Sequence, residues 1–199
     1  GLVVKNQTSG GFRVGPGVIA LGARALLRND LRALAQPHLE SLAAETGESA
    51  TLEILADNRM LILSEVTGRF LVSVTAEIGT FWPLHATSTG KAVLAHLSKA
   101  DRSRLLEPPL RKRTDRTITG VRQLDRELET VREQGYATSI EELEIGAAAV
   151  AVALVEPVSG QPVGAISLNG PASRMGPKEI RALGARLKTL AGELSERLG

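Results

Sequence analysis

The segment Pro83-Leu84-His85-Ala86-Thr87-Ser88-Thr89-Gly90-Lys91-Ala92-Val93-Leu94-Ala95 constrains this chain more than any other. A short strand-like run ends in a cluster of small hydroxyl residues, a glycine follows, and an amphipathic helix begins. The first turn of a helix has N–H groups without intrahelical acceptors and carries the positive end of the helix dipole. A junction of this kind therefore favours anions. It is not a nucleotide-binding P-loop. That motif needs a glycine five residues before Gly90 and a hydroxyl residue after Lys91, and these positions hold His85 and Ala92.

Around this junction the hydrophobic spacing alternates between strand and helix periods. Leu2 to Lys5 and Gly11 to Val14 read as a hairpin across the turn-rich Asn6 to Gly10. Gly15-Pro16 opens a helix with Val18, Leu21, Gly22, Ala25 and Leu26 on one face, and Gly22 suggests close approach of another helix. Asp30 is expected to cap a second helix, ended by Gly47 and bent at Pro37. Ser49 to Ala56 and Met60 to Val66 form strands about Asp57-Asn58-Arg59, and Phe70 to Val74 is a further strand candidate. Ser88 or Thr89 is expected to cap the helix that ends near Leu97. A short helix at Arg102 to Leu106 stops at Pro108-Pro109, and Val121, Leu124, Leu128 and Val131 mark a helix closed by Gly135. Tyr136 to Ile140, Ala147 to Glu156 and Val163 to Asn169 are strands. Ile180, Leu183, Leu187, Leu190, Leu194 and Leu198 mark a long last helix. The order predicts an α+β fold, with one antiparallel sheet flanked by helices.

Composition narrows the classes. Hydrophobic residues make up 43% of the 199 and aromatic residues 3%, so the core is aliphatic. Cysteine is absent, which excludes disulfides and thiol catalysis and fits a cytoplasmic protein. No apolar run is long enough to span a membrane. The net charge is +2, yet residues 1–36 carry five basic residues against one acidic, so the basic excess lies at the start. That places any nucleic-acid contact there. The first residue is glycine, which fits a piece of a longer protein.

The candidates for chemistry are few. His38, His85 and His96 have no metal-ligand spacing, and no cofactor is implied. Glu141, Glu142 and Glu144 could act as paired carboxylates but read better as a solvated turn. Arg111-Lys112-Arg113 with Arg116 reads as a solvated segment rather than a phosphate site. No nucleophile adjoins a base, so the chain is not expected to be an enzyme. Ser167 and Asn169 share one face of a strand by its period of two, and they point either to a small-molecule site or to solvent.

The Pro83–Ala95 segment resembles the PLHATxxGKAxLA motif of the IclR family of bacterial transcriptional regulators. The resemblance extends over the whole chain. Its other blocks are Gly1–Gly15, Thr114–Ile118, Arg132–Ala137, Glu141–Gly146 and Val163–Pro171. It implies a wing remnant of a winged helix-turn-helix DNA-binding domain at 1–15, a linker helix at 16–29, and an effector-binding domain of profilin- or GAF-like fold at 30–199. It further implies a ligand-responsive regulator, a homodimer or homotetramer, with no membrane partner. Operator DNA would be read by an N-terminal domain mostly outside this chain. By position, the effector site falls to Leu84, Ser88, Thr89, Gly90, Ser139, Leu143, Ala149, Ser167 and Asn169, with Ile145 as further apolar wall. Many members carry Cys at the position of Ala149, Pro at that of Ala153 and Ser at that of Asn169. The smaller side chain at 149 is expected to widen the site beyond the smallest acids. The implied effector is a small monocarboxylate, with Lys91 pointing away from it. The alternative is a free-standing sensor or small enzyme on the same fold.

Overall fold

The protein, seen here as a computed structural model, is described at every residue except Gln7, Ser9, Ala76 and Gly199. The chain opens with a hairpin of β1 (Val3–Lys5) and β2 (Phe12–Val14), in antiparallel register with Val3 opposite Val14. Two residues of the expected Asn6 to Gly10 turn, Gln7 and Ser9, lie outside the described residues. Next come α1 (Pro16–Leu27) and α2 (Asp30–Thr46). The cap of α2 is Asn29 rather than Asp30. Asn29 is the extended residue, and its side chain accepts from the N–H of Arg32 at 2.8 Å, which leaves Asp30 as the first helical residue. The helix runs on through Pro37 and ends at Gly47, whose φ of 76° is the left-handed cap conformation.

The main sheet has six antiparallel strands. In chain order they are β3 (Ser49–Ala56), β4 (Arg59–Val66), β5 (Phe81–Pro83), β6 (Ala137–Ile140), β7 (Ala147–Val155) and β8 (Pro162–Pro171). Across the sheet they lie β5-β4-β3-β8-β7-β6. Phe70 to Val74 is not a strand. Instead the edge of β4 is taken by β5, and Ile62 exchanges hydrogen bonds with Gly79 and Thr80 just before it. Phe70 lies 4.3 Å from the Arg174 guanidinium, which also donates to the carbonyl of Val72 at 2.9 Å. Side-chain anchors rather than a ladder thus hold that stretch.

Helices α3 (Ser88–His96), α4 (Lys99–Leu105), α5 (Val121–Gln134) and α6 (Pro177–Glu196) complete the fold. Helices α2 and α6 cover one face of the sheet, α3 and α5 the other. The sequence Ala-Ala-Ala-Val-Ala-Val-Ala-Leu-Val of β7 decides how closely each layer packs. Val150, Val152 and Leu154 join Leu39, Leu42, Ile166, Leu187 and Leu190 in the larger core. Ala151 and Ala153 face the other way, with Val93, Leu94, Leu124 and Leu128. Except for Val155 at its end, β7 projects only alanines toward α3, so that short helix lies close to the sheet and its N-terminus reaches the middle strands.

Candidate functional site

The start of α3 is set by Thr87, not by Ser88 or Thr89. Thr87 is extended (φ −118°, ψ 150°), and its hydroxyl accepts from the N–H of Gly90 at 3.1 Å while donating to the carbonyl of Pro83. Ser88 and Thr89 therefore occupy the first helical turn, where N–H groups have no intrahelical acceptor. Leu84, His85 and Ala86 form a 3-10 turn just before it. A Cβ at position 90 would strike the backbone of Leu84, so glycine there permits the turn and the helix to touch.

The N-terminus of α3 opens on a cavity of about 110 Å³. Its floor is the sheet, with Thr51 and Glu53 from β3, Asn169 from β8, Ala147, Ala148 and Ala149 from β7, and Ser139 from β6. Trp82, Val74, Thr75, Leu143 and Glu144 complete the lining. No lysine, arginine or histidine lines it among the described residues.

One chain of hydrogen bonds crosses the floor. Asn169 Nδ2 donates to Ser167 Oγ at 3.0 Å, Ser167 Oγ lies 2.6 Å from Thr51 Oγ1, and Thr51 Oγ1 donates to Glu53 Oε1 at 3.3 Å. From the helix, Thr89 Oγ1 donates to Glu53 Oε2 at 2.8 Å. The chain ends on the Glu53 carboxyl, which is 5% exposed. Burial pushes its pKa up to about 7, against the opposing pull of the Thr89 and Thr51 hydroxyls.

The Leu143–Glu144 wall is held from behind. Lys91 is wholly buried, and its ammonium bonds Glu142 at 2.7 Å and Glu127 at 3.1 Å. Burial raises the Glu142 pKa, and the Lys91 charge opposes the rise. The hydroxyls of Thr114 and Thr117 donate to the carbonyls of Glu141 and Glu142, each at 2.6 Å. Glu141 is itself in the left-handed region (φ 56°), accepts from the N–H of Gly146 at 2.9 Å and pairs with Arg116. The Thr114–Ile118 and Glu141–Gly146 blocks are therefore one fastening. The turn expected from the sequence is solvated at Glu144, which is exposed and also lines the pocket, whereas Glu142 is buried against Lys91.

Of the residues singled out in the sequence, Ser88, Thr89, Ser139, Leu143, Ala149 and Asn169 meet around the cavity. Ser167 lies directly behind, fully buried, bonded to Thr51 and Asn169. Leu84 sits in the core beneath α3, Gly90 packs on it, and Ile145 is 79% exposed. The carboxyl of Glu53 and the hydroxyl of Thr51 were not foreseen, nor was Trp82, and Glu144 was read as part of a turn rather than of the site. Glu53 had a signal: it shares the period-two face of Thr51 in a strand otherwise rich in Leu, Ile and Ala. Among the histidines, His85 is buried with a ring nitrogen 3.0 Å from the carbonyl of Arg111; burial lowers its pKa, and the bond to that carbonyl opposes the fall. His96 is exposed, and Lys112 pairs with Asp115 at the surface.

A sheet layered between helices, with a small cavity at a helix N-terminus, is the frame of the site. Residues 23–196 match the family model described as "Bacterial transcriptional regulator IclR C-terminal". The chain belongs to the IclR family, and so is a ligand-responsive transcriptional regulator rather than an enzyme. It is 30% identical to the HTH-type transcriptional repressor AllR of Escherichia coli over 198 residues, 99% of this chain and 73% of that protein. The crystal structure of the Thermotoga maritima IclR superposes with a TM-score of 0.87 at 30% identity, over all of this chain and 80% of that one. The C-terminal domain of the E. coli regulator KdgR superposes at 0.77 with 28% identity, over 86% of this chain and 99% of that one.

Proposed function

We propose that residues 30–199 are the effector-binding domain of this regulator and that its cavity takes a small aliphatic monocarboxylate. The observation that carries this reading is the N-terminus of α3: Ser88 and Thr89 line a cavity whose floor is the sheet. Their N–H groups and the helix dipole supply the positive potential a carboxylate needs. Ser139 and Asn169 add polar contacts, and Leu143 and Ala149 face the hydrocarbon part. At about 110 Å³ the cavity is smaller than the ~150 Å³ cavity known to hold benzene, so it suits an acid of few heavy atoms. This is tighter than the alanine at 149 alone suggested, because Trp82, Val74 and Thr75 also line the site.

In this reading residues 1–15 are the wing of a winged helix-turn-helix and 16–29 the linker to the sensor. The effector binds one arrangement of the oligomer better than another, and the linker transmits the shift to the DNA-reading domains in the bacterial cytoplasm. Calorimetry with short monocarboxylates tests the site. Ala149→Leu fills the cavity and is expected to abolish their binding while leaving the thermal melt within a few degrees. Unchanged binding by this variant, or a nucleotide as the tightest ligand, would sink the reading.

A further inference from the structure

The cavity's own charges select among small acids. Two carboxyl groups, Glu53 and Glu144, line it, and no basic side chain does among the described residues. Lys91, two residues along α3 from Thr89, is the nearest cation on that helix, and Glu142 and Glu127 engage it on the far side. Glu53 is thus a buried carboxyl supported by hydroxyls alone. Its two hydroxyl donors, Thr89 at 2.8 Å and Thr51 at 3.3 Å, leave it without a counter-charge. A carboxylate has about four acceptor positions, so the side of Glu53 that lines the cavity has capacity to accept more. A buried carboxylate in this state is costly until a cation or donor pairs with it.

The second half of the argument is adjacency. The Thr89 hydroxyl touches Glu53, and the Thr89 N–H belongs to the first turn of α3. A donor-rich anion seat and an acceptor-only carboxylate therefore sit one residue apart. A ligand that satisfies both carries its own carboxylate and its own positive donor on neighbouring atoms.

We infer that the effector is a compact zwitterionic 2-amino acid, its carboxylate at Ser88-Thr89 and its ammonium on Glu53. This rests on the carboxylate seat proposed above and adds the group at C2. A 2-oxo acid of the same size fits the space but offers Glu53 only an acceptor. It can bind well only if Glu53 takes up a proton. A 2-hydroxy acid, with a neutral donor, falls between. Because burial already holds the Glu53 pKa near 7, pairing with an ammonium drives a proton off near neutral pH, whereas a 2-oxo acid draws one on.

The test uses alanine, lactate and pyruvate, which share a three-carbon skeleton, in calorimetry on the 199-residue chain. Titrations run at pH 7 and pH 8 in buffers of different ionisation heat, so that proton release or uptake is read directly. The expected order at pH 8 is alanine, then lactate, then pyruvate. The first and last should differ by roughly tenfold or more, the scale of one charge-assisted hydrogen bond. Alanine should release protons at pH 7. In Glu53→Gln the preference for alanine over pyruvate should collapse to within about threefold, and circular dichroism checks that this variant is folded. The wild-type ranking stands as a test even if it is not. Pyruvate binding as tightly as alanine, with proton uptake, overturns the inference and leaves the carboxylate seat standing. Failure of all three acids to bind overturns both.

Discussion

Glu53 carries a consequence that is independent of any ligand. In the unfolded chain its carboxyl titrates near 4.5, and in the folded protein near 7. Between those values the folded state holds a proton that the unfolded state has lost. Its contribution to stability is therefore full below about pH 4.5 and is lost as the pH rises through 7. A shift of this size corresponds to roughly 3 kcal/mol. Glutamine keeps one acceptor oxygen for the Thr89 and Thr51 hydroxyls and does not titrate. Urea titrations should show Glu53→Gln gaining on the wild type by up to about that amount between pH 5 and pH 8. A difference that is flat with pH would mean that the site is wetter than its burial indicates. Lys91, unlike Glu53, already has charged partners. Lys91→Met strands Glu142 in the interior, and breaking a buried pair on one side costs about 3–5 kcal/mol. Glu142→Gln added to that variant should return part of the loss, measured by the same titration.

Helix α3 shows how far local sequence reaches and where it stops. Three hydroxyl residues in a row precede Gly90, and any of them satisfies the preference for a cap. Only the extended backbone of Thr87, bonded to Pro83, decides among them. Asn29 and Asp30 pose the same ambiguity one residue apart. By contrast, β3 and β4 were legible almost to the residue, because Asp57-Asn58 is a two-residue turn that fixes the register Ala56 to Arg59. Phe70 to Val74 looked like a strand because it is apolar, but β4 already had its neighbour. The role of Glu53 was hidden for a related reason: a period-two face can be read, but which helix lies on it cannot. Thr87→Ala should cost about 1 kcal/mol through the lost cap. Gly90→Ala should cost about 1–3 kcal/mol, the scale of overpacking, because its methyl group meets the Leu84 backbone rather than a yielding side chain. Denaturant melts that give Thr87→Ala the larger loss would contradict this account of the turn.

On the scale of the molecule, the sensor is closed and α1 is not. Both faces of the six-stranded sheet are covered, yet no residue of α1 is buried. Ile19 and Leu21 are 69% and 65% exposed, and Leu26 alone leans on the larger core. Gly22, expected to mark the close approach of another helix, has no neighbour within 4 Å in its own chain. An apolar helix face of this size calls for a partner. IclR-family regulators are oligomeric, so the partner that fits is the same helix of a second subunit. Such a pairing makes α1 the element through which a change in the sensor reaches the hairpin that precedes it. Light scattering at micromolar concentration should give at least a dimer. Leu21→Asp should weaken that dimer by more than tenfold, the scale of a charge buried unpaired in an interface. Because position 21 is exposed within the subunit, the change should leave its stability within about 0.5 kcal/mol. A wild-type monomer, or a Leu21→Asp dimer of unchanged affinity, would mean that some other surface holds the subunits together. Helix α1 could not then be the proposed path from the sensor to the hairpin.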